Sequence, residues 1–456
     1  MTNRPIVIFD NGAHTIKYGT SANDEEPRIV PNSVVRLKHE RNKQFIGAEF
    51  NESLDYSIIH YRLPFERGYL TDWDVEKAVW DRTFKDLKVD PRDHSFLVTE
   101  PPFNMHSIQE TYDQMVFEEW EFQSYYRCPP ATLLPYSDIF GPGPPPECAV
   151  LVDSGFSFTH VAPALNSTPD SPASMQWPSV RRLDVGGKLL TNHLKELVSF
   201  RHWDMTESTY IINQVKEASC FVSGNFARDL EVCRLKHNVI AQSYVLPNFG
   251  SEPPTPGYIT NSPPQEGDTI LPMNNERFSV PEILFTPSHV GLSQIGLPGT
   301  ISHSINSLPE DLRGVAWGNI GLVGGNMLFD GFEQRLFDEL RALAPEEYEV
   351  CLYRAKNPIT FTFHSARTLA RSPIFPSLCV TREEYLEGGV NACRRKFAPV
   401  NWMVTEEKET SGPRKEKEGR TKRDGAARGR GRRRKTMTAG EVGIPGQEAM
   451  EVDPKL

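Results

Sequence analysis

No stretch of this 456-residue chain reaches the ~18 consecutive apolar residues that a bilayer-spanning helix needs. The short apolar run near the start is too brief for a secretory signal and leads straight into a structural motif. The expectation is therefore a chain with no membrane partner. The seven cysteines form no CxxC pair and no Cys/His spacing of the zinc-binding kind. They read as reduced, mostly buried thiols. Also missing are the GxxxxGK[ST] loop and the GxGxxG fingerprint, so the two commonest phosphate-binding folds find no support.

Proline is abundant, 37 residues against a usual ~5% of a chain, and it concentrates in three segments, 141–147, 166–179 and 251–273. They lack periodicity and read as surface insertions. At this length a single core is not expected, because cores stop growing near ~250–300 residues. Charge is divided along the chain. Residues 408–435 carry +9 and residues 436–456 carry −3, so the formal total of −10 leaves −16 on residues 1–407. An acidic body repels phosphate backbones, which leaves the tail as the only part suited to nucleic acid. That tail has too few apolar residues to fold alone and is expected to be disordered.

The ordered part repeats one pattern. An apolar strand over residues 6–9 ends in Asp10-Asn11-Gly12, and residues 15–18 return. A second apolar strand over 149–152 ends in Asp153-Ser154-Gly155, and residues 158–161 return. Helical faces follow: Leu190, Leu194, Leu197 and Val198 after Gly186-Gly187, and Phe332, Leu336, Leu340 and Leu343 after a strand at 320–323 and the turn Gly324-Gly325. Strands alternating with helices across glycine-rich junctions predict an α/β protein of two related lobes.

A phosphate site needs backbone amides at a tight turn, a cation and often a carboxylate that holds a hydrated metal. Asp10, Asn11, Gly12 and Lys17 supply all three types; Asp153-Ser154-Gly155 supplies a second turn. Each alone is equally an ordinary hairpin. His160 suits either a packed core or a water-positioning role, and Lys216-Glu217 read either as a solvated helix face or as ligand contacts.

In this order the motifs resemble the actin superfamily: DNG-x4-K-x-G at 10–19, DSG-x3-TH at 153–160, LTDWDVEKAVW at 70–80, TEPPFN at 99–104, DVGGKLLTNHL at 184–194, VKEASCFVS at 215–223, NERFSVPEILFTPS at 275–288 and VGGNMLFDGF at 323–332. Some blocks are closer to the nuclear actin-related proteins than to actin itself. The resemblance implies an actin fold, with ribonuclease-H-like lobes around a nucleotide cleft. It places a first lobe at 1–140 completed by 345–399, a second at 141–344, and the basic tail at 400–456. It implies ATP or ADP with Mg, held weakly or structurally. Asp10 would bind the metal through water. Asn11, Gly12, Lys17, Asp153, Ser154 and Gly155 would meet the phosphates, His160 would stand at the water-ordering position, and Gly187, Lys216, Glu217, Gly324, Gly325 and Phe329 would surround the nucleoside.

It further implies a nuclear subunit, partly cytoplasmic, of a SWR-type remodelling complex that exchanges nucleosomal histone for the Z variant. Partners would be the motor ATPase, other subunits and histones. The alternative is an active actin-like ATPase or a cytoskeletal relative.

Departures from the family pattern favour the non-catalytic form. Ala13 and His14 replace a serine and a glycine, and Phe156 replaces an acid. The water-positioning glutamine falls near Ala131, and Phe363-His364-Ser365-Ala366 stands where the family has WIGG. Because positioning and electrostatics carry phosphoryl transfer, turnover is expected to be negligible. Beyond the resemblance, the cluster Arg428, Arg430, Arg432, Arg433, Arg434 and Lys435 suits a nuclear import signal or DNA contact.

Overall fold

The computed structural model describes residues 5–37, 44–47, 49, 59–166, 171–249, 255–260 and 267–402. Strand β1 (Val7–Asn11) pairs antiparallel with β2 (Thr15–Thr20), which pairs with β3 (Arg28–Pro31). On its other side β1 runs parallel to β4 (Ser95–Thr99), and β4 to β5 (Ser124–Cys128). Val7, Ile8 and Phe9 are fully buried, as an unbroken apolar run requires of a strand covered on both faces.

Helix α1 (Trp73–Leu87) covers this sheet. The Asp72 side chain accepts from the Val75 amide to cap its first turn, where Asp74 and Glu76 also favour the helix dipole. The fully buried Trp80 meets Phe9 edge-on with ring centroids 5.3 Å apart and stacks on Trp120 at 4.9 Å.

The second half repeats the plan. Strand β6 (Cys148–Ser154) pairs antiparallel with β7 (Thr159–Leu165), which is flanked by β8 (Ser174–Met175) and β9 (Arg181–Leu183). Helices α2 (Gly187–Arg201) and α3 (Thr209–Ser219) follow. Parallel to β6 lies β10 (Ile320–Val323); α4 (Phe332–Leu343) then leads to β11 (Leu352–Arg354) beside β10. Finally α5 (Phe361–Arg371) packs on the first sheet, and β12 (Val380–Thr381) pairs with β5. The strand orders are β12–β5–β4–β1–β2–β3 and β8–β7–β6–β10–β11. Each hairpin-opening strand thus has its antiparallel return on one side and a parallel strand on the other.

Two large cores result, one joining residues 7–133 to 363–400 and one within 148–350. A smaller cluster with Ala131, Leu134, Leu151, Ala162, Val323 and Phe361 lies where the halves meet. The α/β arrangement expected from the motifs, with each main sheet built around a strand hairpin, is the one observed.

Three local readings change. Asp10-Asn11 and Asp153-Ser154 belong to the strands, and the turns proper are 12–14 and 155–158. Of the segment 166–179, residues 171–179 are not a loose surface loop: Ala173 and Met175 are buried and β8 adds to the sheet. Of 251–273, residues 258–260 and 270–273 form strands on either side of Gln242–Val245, burying Leu271 and Met273. Pro272 is tolerated because its strand is at the sheet edge. Segment 141–147 is exposed or half-buried, as expected. The remainder of these insertions, and the tail from 403 with its basic cluster, lie outside the described residues.

Arg127 ties Asn401, close to the last described residue, to the first core. Its guanidinium, 1% exposed, donates to Glu100 at 2.7 Å, to Asp113 at 3.1 Å and to the Asn401 side-chain oxygen at 2.7 Å. Removing one member of a buried charge network strands its partners. Arg127→Met is expected to cost about 3–5 kcal/mol in urea unfolding. Adding Glu100→Gln and Asp113→Asn should recover most of that loss; a triple variant no more stable than the single one would contradict this account.

Candidate functional site

Alternation along β1 decides what each residue of the first motif does. The Asn11 side chain turns into the core, donating to Glu76 at 2.6 Å and Tyr112 at 2.9 Å. Burial holds the Glu76 carboxyl at about 7, above its ordinary value. Asp10, the neighbouring residue, therefore faces the other way. It accepts from the Thr99 hydroxyl at 2.9 Å and pairs with Lys17 at 3.3 Å, each side chain only 13% exposed. Lys17 is opposite Asp10 in the β1–β2 register.

In β6 the same rule puts Val152 into the core and Asp153 toward the cleft. Ser154 turns back into the protein, in hydrogen-bond contact with the Thr159 hydroxyl at 2.7 Å and accepting from Asn326 at 3.0 Å. Opposite Asp153 stands His160. The two hairpins thus match position for position, with lysine in one lobe where histidine stands in the other.

These groups meet. Asp10, Gly12, Lys17, Asp153, Gly155, His160, Gly187, Lys216, Glu217, Gly324, Gly325 and Phe329 line one cleft of 510 Å³, within the usual range of small-molecule sites. Asn11 also borders the cleft, with its side-chain amide donating to Glu76 and Tyr112, and Ser154 is not among the lining residues. Gly324 is required by geometry: its φ is +94°, and a Cβ there would lie 2.3 Å from the Ser154 carbonyl oxygen.

Burial, reinforced by the charge of Asp10, raises the Asp153 carboxyl to about 7, with Lys17 opposing the shift. The carboxyl groups of Asp10 and Asp153 are oxygen donors of the kind a hydrated divalent cation takes, whereas the Lys17 ammonium beside Asp10 opposes a cation. Burial, then the charge of Arg182, lowers His160 to about 3, and its Nε2 has no hydrogen-bond partner among the described residues. The imidazole is neutral and packed, yet borders the cleft. From the segment expected to carry a water-orienting amide, the residue facing the cleft is Pro130, while Ala131 is buried behind it.

Lys216 is 4% exposed, not a solvated charge. Its ammonium donates to Thr191 and Asn213, both at 2.9 Å, and to the Gly187 carbonyl at 3.3 Å. Glu217 accepts from Asn213 at 2.8 Å. The amides of Gly187 and Lys188, at the start of α2, donate to the carbonyls of Gly155 and Phe156 at 3.0 and 2.8 Å.

Comparison with known proteins agrees with this architecture. A family model described as Actin matches residues 1–398. The Actin-like protein ARP6 of Cryptococcus neoformans is 45% identical over 424 residues, covering 87% of this chain and 85% of that protein. Actin-related protein 6 of Drosophila melanogaster is 34% identical over 403 residues, 86% of this chain and 99% of its own length. The Actin-related protein 6 of Arabidopsis thaliana is 34% identical over 431 residues, with coverages of 86% and 99%. The chain belongs to the actin family, in its actin-related protein 6 group.

Within this actin fold a nucleotide meets mixed accommodation. The carboxylates suit a hydrated Mg ion, but the two turns also bring aromatic rings to the lining of the cleft. The turn residue His14 stacks on Phe156, centroids 4.5 Å apart and planes 22° apart. Both were noticed in the sequence only as departures from a pattern. Nothing in their separation, 142 positions, signals that they touch. Among the described residues no cluster of three or more His, Cys, Asp or Glu side chains forms a metal-ligand group.

The Asp153 shift has a definite sign. The folded carboxyl keeps its proton to about pH 7, whereas the unfolded one releases it near 3.8. Its contribution to stability is therefore present below pH 3.8 and is lost as pH rises to 7. Asp153→Asn is expected to match the parent near pH 4 and to exceed it at pH 8, by on the order of a few kcal/mol in denaturant unfolding. A variant less stable than the parent at pH 8 would refute the assignment.

Proposed function

We propose that this actin-related chain is a non-catalytic subunit of a SWR-type chromatin remodelling complex. It acts in the nucleus, with a cytoplasmic fraction, as a scaffold and histone-binding module in histone-variant exchange. Its partners are the motor ATPase, sister subunits and histones. Mg-ATP or Mg-ADP, when bound, is a weak structural ligand. The basic cluster at 428–435 serves nuclear import, with DNA contact as the alternative.

One observation supports the non-catalytic reading above the rest: the cleft's polar groups are committed to one another. Lys17 is paired with Asp10, Lys216 donates to three oxygens of its own lobe, and the first amides of α2 are satisfied by the facing loop. Phosphoryl transfer depends on such groups being aimed at the phosphate and at an oriented water. Pro130 provides no donor or acceptor side chain for that water. The assignment to a remodelling complex is supported by membership of the actin-related protein 6 group and by the acidic body with its basic tail.

An active ATPase has one feature in its favour. Asp153 near 7, beside the neutral His160, is the kind of perturbed pair found at general acid–base sites. Turnover separates the two readings. Purified from its native source, the chain should bring a remodelling ATPase and histones with it. Alone, it should hydrolyse Mg-ATP no faster than buffer. Recovery without partners, with hydrolysis well above background, would favour the enzyme.

A further inference from the structure

The turn at 155–158 carries two aromatic residues, and both reach across to the first lobe. Phe156 stacks on His14. Phe158 fills the space beside Gly68, where a Cβ would lie 2.4 Å from its ring, and its centroid is 6.4 Å from that of Tyr69. Arg182 caps this second contact. Its guanidinium sits 4.1 Å from the Phe158 ring centroid and donates to the Tyr69 hydroxyl at 2.9 Å. Gly68 itself has φ +75°, so the close approach and the backbone both call for glycine.

We propose that His14, Phe156, Phe158, Tyr69 and Arg182 form an aromatic clasp that holds the two lobes closed without phosphate and competes with a nucleoside polyphosphate for the space between the turns. Stacked rings and a guanidinium over a ring are attractive whether or not a ligand is present. A neutral imidazole and a phenyl ring give an anion no charge to bind. A phosphate entering between Gly12 and Gly155 must therefore displace the pair, and the apparent affinity falls by the fraction of molecules in which the clasp is open. The competition half of the proposal rests on reading the cleft as a nucleotide site; the clasp itself does not.

The test uses the full chain and three variants: His14→Gly, Phe156→Asp and the ring-retaining His14→Phe. Nucleotide-free melting and hydrogen exchange report the clasp, and calorimetric titration with Mg-ATP reports the competition. Removing either ring should lower the nucleotide-free melting temperature by about 2–4 °C and speed amide exchange in residues 12–20 and 155–161. It should also tighten Mg-ATP binding by about tenfold. His14→Phe should stay closed and stable like the parent. If His14→Gly and Phe156→Asp leave melting and exchange unchanged, the clasp is wrong. If they open the cleft but weaken Mg-ATP binding, the competition is wrong. If they open the cleft and neither parent nor variants bind nucleotide, the clasp stands and the nucleotide reading of the cleft falls. Tight Mg-ATP binding by the parent, unchanged in the variants, would overturn the competition directly.

Discussion

Between the lobes, Asp10 pairs with Lys17, and the charges of both act on Asp153. Burial disfavours the charged form of Asp153, the like charge of Asp10 adds to that, and Asp153 keeps its proton to about pH 7. Everything on either side of the pair is arranged around that constraint. Asn11 and Glu76 fix β1 so that Asp10 cannot turn away, and Ser154 with Asn326 fixes β6 in the same sense. Strand alternation does the rest: a one-residue slip would send both carboxylates into the cores.

A cleft with two carboxyl groups facing one ammonium can be closed in two ways. A hydrated cation with a polyphosphate bridges the turns electrostatically, and the amides of the turns complete the bridge. The clasp proposed above uses rings instead, His14 on Phe156 and Phe158 against Gly68 and Tyr69, with Arg182 as the added cation. Burial and the nearby charges of Lys216 and Lys17 lower His14 to about 4. The stack is therefore uncharged at neutral pH and adds nothing to the field around the carboxylates.

Much of this could be read from the chain. Strand-turn-strand units announced themselves through apolar runs that stop at Asp-x-Gly, and the helices through leucine spacing at 190–198 and 332–343. What failed to show was anything that depends on long-range contact. Lys216 reads as a surface charge on a helix until Thr191, Asn213 and Gly187 are seen around it. Met175 and Leu271 lie in proline-rich stretches whose lack of period suggests a loop, yet short strands need only two or three alternating residues to bury one of them. The His14–Phe156 stack was visible as two substitutions and invisible as one contact, because local pattern carries no information about which loops will face each other.

Closure by rings suits a protein used for its shape. If a nucleotide held the lobes together, the closed fraction would follow its concentration through the binding term RT ln(1 + [L]/Kd). Any partner that recognised the closed form would then inherit that dependence. Contacts within the chain are always present at full effective concentration, so the closed surface is offered regardless of the nucleotide pool. Catalysis has the opposite need. A turnover cycle requires product to leave, and a clasp that occupies the phosphate space when the cleft is empty would oppose each new substrate. On the proposed reading, the side chains that keep the lobes closed are thus the same ones that would oppose turnover.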